Sequence, residues 1–563
     1  MESSASNVEL LVGPYRDGKT SVVLNELLDL KEQNPLANIL ILVPSARYGK
    51  LLKDRIAVLL KERQNKGSKT RGLFGLEIQP FYQCCQKIIS RSGFEPQLIA
   101  EEIRPAIIAQ ILSEMKARGE LHGLATIAEF PGTGSSVLEL VDELQRAGLT
   151  PNDVIGRLKA SSCQESHLLE LARVYQHYFQ KLKDLEFFDQ KSLALAAREE
   201  IFKRREIDYD LLLIDGFDRV SHLQAQIFAG LAKHSAKTKM TFDYLSADED
   251  QLTLEDQQHH GRSIIADDYR WKDSSFKELV NNLSPQIHQR EAHEDNSVPK
   301  IESVSLLDPF LEMVEVARQV KAAIYQRGVK PSELIVITRS PETYNGAIEA
   351  AFDDAGLNYF IDGSSKISEL EAWRFMRSLV TLPDNDFRRK DLIDLLRSPY
   401  MKLDALSMQV SDVSSIDRNS FKSRVIGSRK TWAKFLAHDD YSEYREQILN
   451  LLNHLQQPET EAPAAVHARY IEDLLDKYMQ FPSSELNIRS SGAMHEREAT
   501  KSLRRALKVL ILQESVLKLK PDSFKQFWTH LQTLVEKANY ARPRPQSSAL
   551  TICAAELTPN MRF

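Results

Sequence analysis

The chain has 563 residues, of which 42% are hydrophobic and 27% are charged, and its formal net charge is −6. This length is too great for one ordinary hydrophobic core and predicts about three or four domains. The composition is that of a soluble globular protein, and no apolar run approaches the roughly 20 residues of a membrane helix. The start has no basic stretch, so we expect no signal peptide, no membrane contact and a cytoplasmic location. The negative charge excludes a wholly basic nucleic-acid coat protein but permits a local basic groove.

Short apolar strands alternate with helices at the start of the chain. Strands are predicted at 8–12, 38–43 and 76–79, and helices at about 20–31 and 46–61. This order is typical of a parallel sheet with helices packed on it. Residues 1–93 therefore form the first part of a predicted α/β lobe, and residues 206–245 complete it with strands at 210–215 and from 239.

The segments around these last strands have other patterns. Residues 94–205 show helical periodicity alone, which predicts a helical insertion within the first lobe. Residues 246–300 are polar and rich in acidic side chains, which predicts a linker without regular structure.

A second α/β region follows. Its predicted strands are at 301–307, 333–338 and 358–361, and its predicted helices at 309–325 and 342–355. Helical periodicity continues from about 367 to 541, and a last strand is predicted at 549–555. We therefore predict a partial second lobe of residues 301–366 and 549–563, interrupted by a helical insertion over residues 367–548.

The strongest functional motif is Gly13-Pro-Tyr-Arg-Asp-Gly18-Lys19-Thr20, which matches the P-loop pattern G-x4-G-K-[ST] between a strand and a helix. Glycines let successive backbone N–H groups face the phosphates, and the following helix adds the positive end of its dipole. Lys19 is expected to contact the β- and γ-phosphates, and the Thr20 hydroxyl to bind Mg²⁺. The motif predicts that Gly13, Gly18, Lys19 and Thr20 bind ATP with Mg²⁺.

The apolar run Leu211-Leu-Leu-Ile-Asp215 resembles a Walker B strand, whose carboxylate holds Mg²⁺ through water. The alternative is an ordinary strand that happens to end in Asp. The next residue is Gly216, which cannot act as a base, and the spacing of Asp218 does not fit a strand end. The sequence thus predicts nucleotide binding and leaves open whether the chain is an enzyme.

A candidate DNA contact lies at the end of the second strand. Pro44 and Ser45 lead into a basic helix that carries Arg47, Lys50, Lys53 and Arg55. Hydroxyl and cationic side chains in this order suit contacts to a DNA backbone. The alternative is an ordinary solvated helix.

Together these motifs resemble those of UvrD-type superfamily 1 helicases, and most of all the inactivated B subunits of AddAB-type (RexAB) helicase–nucleases. GPYRDGKT is similar to the family's P-loop, and ILVPSARYGKLLKDRI, from Ile41, to its motif Ia, which contacts single-stranded DNA. LLLIDGFDRVSHLQ, from Leu211, resembles the B-subunit form in which D-G-F-D replaces Asp-Glu. VITRSPETY, from Val336, resembles the opening of the second lobe and adds Arg339 as a further candidate DNA contact.

The resemblance implies an α/β fold with a RecA-like P-loop lobe and a partial second RecA-like lobe, each with a large helical insertion. It also implies a subunit of a helicase–nuclease that repairs DNA double-strand breaks, beside an AddA-type motor subunit. Such a subunit binds ATP and single-stranded DNA without helicase activity of its own.

The last residues, AAELTPNMRF, correspond to the place where the family's second lobe is completed. The family's nuclease domain, with the four cysteines of an iron–sulfur cluster, follows there. We therefore expect a chain that lacks the C-terminal part of the family, with no nuclease site and no iron–sulfur cluster.

Other functions stay open on sequence alone. The chain could be an active UvrD-like superfamily 1 helicase with unusual motifs, or a scaffold with a vestigial P-loop. It could also be a P-loop NTPase of another class, although it contains no guanine-reading N-K-x-D sequence.

Overall fold

The computed structural model describes residues 7–13, 18–67, 72–130, 132–161, 166–203, 209–217, 219–243, 274–289, 302–339, 341–438, 442–458, 460–481, 490–541 and 549–554. The chain divides into two compact units, which consist chiefly of Met1–Glu302 and Ser303–Thr558. In the described part of the chain, no helix combines the length and the apolar character needed to cross a membrane.

The first unit is built on a six-stranded parallel sheet. Its strands are β1 (Val8–Gly13), β2 (Ile39–Val43), β3 (Leu76–Pro80), β6 (Tyr209–Ile214), β7 (Ser235–Asp243) and β8 (Gln286–Gln289). Their order across the sheet is β3–β2–β6–β7–β1–β8. Every residue of β2 is buried, as expected of a central strand covered by helices on both faces. With the helices described below, this sheet confirms the predicted α/β fold class.

Helices cover both faces of this sheet. Side chains alternate between the two faces along each strand, so apolar residues lie on both faces and each face packs against helices. Leu11, Ile41 and Leu213 share one apolar core with the helices α1 (Lys19–Gln33) and α2 (Ala46–Asn65). Leu10, Leu42 and Leu212 belong to the core on the opposite face. The helices on that face are α3 (Phe81–Ser90), α8 (Gln190–Lys203), α9 (His222–Lys233) and α10 (Ser274–Leu283).

A helical insertion separates β3 from β6. It consists of α4 (Arg104–Ala117), α5 (Thr133–Arg146), α6 (Pro151–Ala160), α7 (Ser166–Asp184) and the already described α8. Two strands of two residues each pair in parallel within this insertion: β4 (Gln97–Leu98), before α4, and β5 (Phe187–Phe188), between α7 and α8.

A buried polar cluster joins the helices of this insertion. Arg104 is 1% exposed, and its guanidinium donates to the Tyr178 hydroxyl at 2.8 Å and to Asp142 at 2.6 Å. Tyr178 in turn donates to Asp189 at 2.9 Å, and Asp189 accepts the Ser192 backbone N–H at the start of α8. Because each buried charge has a partner, the cluster fixes how α4, α5, α7 and α8 pack.

The predicted linker at residues 246–300 is wrong for residues 274–289. These residues form α10 and β8, and β8 pairs in parallel with β1 from Glu9↔Gln286 to Val12↔Gln289. His222 on α9 lies 2.6 Å from Glu278 on α10. The polar composition hid this element, because an edge strand needs only one apolar residue, here Ile287, to pack on the core. The rest of the predicted linker lies outside the described residues.

The second unit contains a three-stranded parallel sheet. Its strands are β9 (Ile335–Thr338), β10 (Tyr359–Asp362) and β13 (Leu550–Ala554), with β13 in the centre. The helices α11 (Pro309–Arg327) and α12 (Pro341–Asp354) share its apolar core.

The strand predicted at 301–307 does not form. Residues 302–306 have no regular structure, and Val304 and Leu307 are 58% and 94% exposed. An apolar run becomes a strand only where a neighbouring strand can satisfy its backbone, and none of the described strands pairs with this one.

A second helical insertion lies between β10 and β13. Its helices are α13 (Glu371–Thr381), α14 (Arg389–Arg397), α15 (Val410–Lys422), α16 (Arg429–Phe435), α17 (Ser442–His454), α18 (Ala464–Tyr478), α19 (Ser490–Leu517) and α20 (Phe524–Lys537). They enclose the largest apolar core of the unit, in which Trp373 stacks on Trp528 with 5.7 Å between ring centroids. The strand β11 (Ser364–Lys366), before the first of these helices, pairs antiparallel with β12 (Asn539–Ala541), after the last.

Candidate nucleotide-binding site

The candidate site lies at the carboxyl edge of the first unit's sheet. The strands β1, β6 and β7 are parallel neighbours, so the residues at their carboxyl ends meet at one edge. Ligands of open parallel sheets bind in this position. The pocket found there is lined by Lys19, Thr20, Tyr48, Asp215, Gly216, Phe217 and Thr241.

Lys19 is held at the end of β1. It is only 5% exposed, and its Nζ donates to the carbonyl oxygen of Gly13 at 2.8 Å. Gly18 directly before it has a φ of +86°, a left-handed conformation that suits glycine and starts α1 at the pocket. A buried ammonium group beside a helix N-terminus is an arrangement that attracts a phosphate. Residues 14–17 of the predicted P-loop lie outside the described residues.

Asp215 is the carboxylate of the pocket and is 3% exposed. Its Oδ1 accepts from the Thr20 hydroxyl at 3.2 Å and from the Thr241 hydroxyl, and its Oδ2 accepts from the Tyr48 hydroxyl at 2.8 Å. These three hydroxyl donors satisfy the buried carboxylate and fix its orientation. The sequence indicated Asp215 and Thr20, and the structure brings their oxygens together.

This arrangement fits Mg²⁺ bound together with a nucleotide. The Thr20 hydroxyl and the Asp215 carboxylate are oxygen ligands of the kind that Mg²⁺ prefers. Across the described residues, no group of three or more His, Cys, Asp and Glu residues is placed to hold a metal by itself. Nucleotide phosphates and water would have to supply the remaining ligands, as they do in P-loop proteins.

Gly216 sits where the pocket has no room for a side chain. Its φ is +86°, and a Cβ built on it would lie 2.4 Å from Cε1 and 2.7 Å from Cζ of Tyr48. The tyrosine ring therefore occupies the position from which an acidic side chain at 216 would face the pocket. Asp218, the other candidate acid of this segment, lies outside the described residues.

Sequence reasoning missed two residues of this site, Tyr48 and Thr241. Tyr48 is 167 residues away from Asp215 along the chain, so no local spacing links the two. Thr241 lies on β7, and only the strand order, with β7 between β1 and β6, brings its hydroxyl to Asp215.

The predicted DNA-contact residues of the first unit lie around the start of α2, in residues 44–50, which we call the α2 turn. Pro44, Ser45 and Lys50 are exposed and Arg47 is half-buried. The Ser45 hydroxyl caps the helix by accepting the Tyr48 backbone N–H at 3.2 Å. Because β2 pairs in parallel with β6, this turn lies at the same sheet edge as Asp215.

Other predicted contacts have different surroundings. Arg55, farther along α2, donates to the Ser21 hydroxyl on α1. Arg339 is exposed directly after β9 in the second unit.

Residues 10–263 match the family described as ADDB, N-terminal. The B subunit of the ATP-dependent helicase/deoxyribonuclease of Bacillus subtilis (strain 168) is 21% identical over 484 residues, which cover 79% of this chain and 40% of that protein. The protein of the same name from Carboxydothermus hydrogenoformans is 22% identical over 453 residues, or 77% of this chain and 38% of its own length. The matched part of this chain thus spans about two fifths of these relatives. The match over residues 10–263 and these relatives support the AddB-type family that the resemblance of the motifs predicts.

Proposed function

We propose that this chain acts as a B-type subunit of a helicase–nuclease that repairs DNA double-strand breaks. In this function it binds ATP with Mg²⁺ and contacts single-stranded DNA, but does not unwind duplex DNA by itself. The observation that supports this most is the cluster of Lys19, Thr20 and Asp215 at the carboxyl edge of the parallel sheet. The relatives are named as B subunits of an ATP-dependent helicase/deoxyribonuclease, which supports the assembly with DNA and an AddA-type motor subunit.

Nucleotide binding follows from the charges and donors of the pocket. The Lys19 ammonium group, now on the Gly13 carbonyl, provides a cation for the β- and γ-phosphates. The N-terminal turn of α1 adds backbone donors. Thr20 and Asp215 would hold Mg²⁺, which neutralises phosphate charge when it is bound.

Hydrolysis is not expected from the residues that line the pocket. Attack of water on a γ-phosphate needs a side chain that orients or deprotonates that water. Asp215 is the only carboxylate among the described residues of the pocket, and it is positioned for the metal. Gly216 stands where UvrD-type motors carry glutamate, and the Tyr48 ring fills the adjacent space.

Removal of the Lys19 ammonium group tests nucleotide binding. Lys19→Ala should weaken the binding of a fluorescent ATP analogue with Mg²⁺ by at least about tenfold, since a charge-assisted contact to phosphate contributes roughly 1.5–3 kcal/mol. Lys233→Ala, which removes an exposed lysine at the end of α9, is the matched control and should bind like wild type. Equal affinity of wild type and Lys19→Ala would show that the nucleotide, if bound, is not held at the P-loop.

A further inference from the structure

We propose that Tyr48 couples the candidate DNA-binding turn at the start of α2 to the metal carboxylate Asp215. Binding of Mg²⁺–nucleotide then changes the chain's affinity for single-stranded DNA, and binding of DNA changes its affinity for the nucleotide. This inference rests on the proposed function, because it needs both ligands to bind where their candidate residues lie. It assigns Tyr48 as a positioning residue rather than a catalytic one.

Tyr48 contacts both candidate sites. Its hydroxyl donates at 2.8 Å to Oδ2 of Asp215, the carboxylate that would hold the metal together with Thr20. Its backbone N–H donates to the Ser45 hydroxyl at 3.2 Å, inside the turn that carries Arg47 and Lys50. A single residue therefore joins the first turn of α2 to the end of β6.

Tyr48 is tightly packed between these two contacts, so its ring has little room to move. Its ring lies against Gly216, so closely that a Cβ on that glycine would fall 2.4 Å from Cε1. The next residue, Gly49, is buried, and a Cβ on it would meet Val43 and Ile78 at 3.4 Å. A shift of the α2 turn is therefore passed to the ring and to its hydroxyl, since tightly packed groups transmit strain.

Each ligand acts on one end of this connection. Mg²⁺ attracts the oxygens of Asp215, one of which now accepts the Tyr48 hydroxyl, so metal binding changes the strength of that hydrogen bond. A DNA phosphate bound at Ser45 and Arg47 would engage the Ser45 hydroxyl, which accepts the Tyr48 backbone N–H. Coupling of this kind is reciprocal, because both ligands bias one element.

A second connection between the two regions runs through α1. Arg55 on α2 donates to the Ser21 hydroxyl, and Ser21 directly follows the metal residue Thr20. This contact would link the same two sites through α1, without the Tyr48 hydroxyl, so the experiment has to separate the two routes.

The experiment measures a coupling factor in the full chain. The dissociation constant of a fluorescent ATP analogue is determined with Mg²⁺, with and without saturating oligothymidylate, and the ratio of the two constants is the coupling factor. The affinity for each ligand alone is measured for every variant. Tyr48→Phe removes only the hydroxyl, and Tyr209→Phe makes the same change at the other end of β6, where the hydroxyl contacts Arg91 at 3.2 Å.

We expect wild type and Tyr209→Phe to show a coupling factor of about fivefold or more in one direction, the lower end of ordinary allosteric coupling. Tyr48→Phe should bring the factor close to one. Replacing Mg²⁺ by EDTA should do the same in wild type, because the connection passes through the metal carboxylate.

A coupling factor that survives in Tyr48→Phe would overturn the inference and favour the route through Arg55 and Ser21. A factor of one in wild type that binds both ligands would overturn it while the proposed function stands. Failure of wild type to bind either ligand alone would instead overturn the proposed function, and the coupling with it.

Discussion

Gly216 directly follows the pocket carboxylate Asp215 and brings no side chain into the pocket. Its φ of +86° is left-handed, and the Tyr48 ring fills the space of a Cβ. Gly216→Ala should therefore destabilise the first unit by about 2–4 kcal/mol, from backbone strain and from overpacking against the ring. Thermal unfolding followed by circular dichroism measures the effect.

Gly156→Ala is the matched control for that change. Gly156 lies in α6 with a negative φ and no heavy atom within 4 Å of its Cβ position. The control should be neutral or stabilise the protein by up to about 1 kcal/mol, because alanine suits a helix interior better than glycine. If both variants unfolded like wild type, the close packing of Tyr48 on Gly216 would be wrong.

Local spacing predicted some residues of the site and could not predict others. Gly13, Gly18, Lys19 and Thr20 form one contiguous motif, and Asp215 ends an apolar strand, so each carries a signal within a few residues. Tyr48 and Thr241 carry no such signal, because their contacts to Asp215 depend on strand order. The roles of all these residues in binding remain predictions.

Helix α2 carries the proposed DNA contact, with Lys50 and Lys53 exposed and Arg47 half-buried. Arg47, Lys50 and Lys53 replaced together by Glu should weaken binding of single-stranded DNA across all sequences, because phosphate contacts carry no sequence information. The slope of log affinity against log salt should become shallower by about 0.7 for each phosphate that the variant no longer neutralises. Fluorescence anisotropy with oligothymidylate at several salt concentrations measures both quantities.

The control for this triple variant makes the same charge change elsewhere in the first unit. Lys159, Lys183 and Lys233 are exposed near the ends of α6, α7 and α9. Their replacement by Glu should leave most of the affinity intact. Equal decreases of affinity in the two variants would mean that net charge, not the α2 turn, sets DNA binding.

The first helical insertion should depend on pH through Asp142. Burial raises the pKa of Asp142, but hydrogen bonds from Arg104 and Lys191 outweigh it, so its pKa lies below the ordinary value of 3.8. A depressed carboxyl pKa gives stability that is present above the unfolded pKa and lost as pH falls through the folded pKa. Asp142→Asn should therefore destabilise the insertion by about 1–3 kcal/mol near neutral pH, the range for hydrogen bonds to charged groups.

The difference between wild type and Asp142→Asn should shrink as pH falls below 3.8, where the carboxyl group becomes protonated. Hydrogen exchange of α4, α5 and α8 at several pH values measures it. Glu143→Gln, at the exposed neighbouring residue, should show no such pH-dependent difference. A difference for Asp142→Asn that does not change with pH would contradict the ion-pair explanation.

Periodicity predicted elements well where their apolar faces are wide, and less well elsewhere. The helices of both insertions and the strand β13 could be predicted, because each buries several apolar residues in a regular pattern. The strand at 301–307 was predicted from the same kind of pattern but has no pairing partner among the described strands. The edge strand β8 was missed because its sequence, QIHQ, has one apolar residue.

The whole chain should bind DNA and nucleotide without unwinding a duplex. The described lining of its pocket has no second carboxylate that could position or deprotonate an attacking water, so no cycle of ATP turnover is expected to drive movement. A fluorescence-quenching assay on a forked duplex with ATP and Mg²⁺ measures strand separation. Separation by wild type that Lys19→Ala abolishes would show an active superfamily 1 helicase instead.

One measurement addresses binding and turnover together. The full chain, in excess over radiolabelled ATP with Mg²⁺, is incubated and then separated from free nucleotide, and the bound label is analysed. We predict that the label is retained by wild type, is not retained by Lys19→Ala, and is recovered as ATP after many minutes. Rapid conversion to ADP by wild type but not by Lys19→Ala would contradict the account, as would the absence of any retained nucleotide.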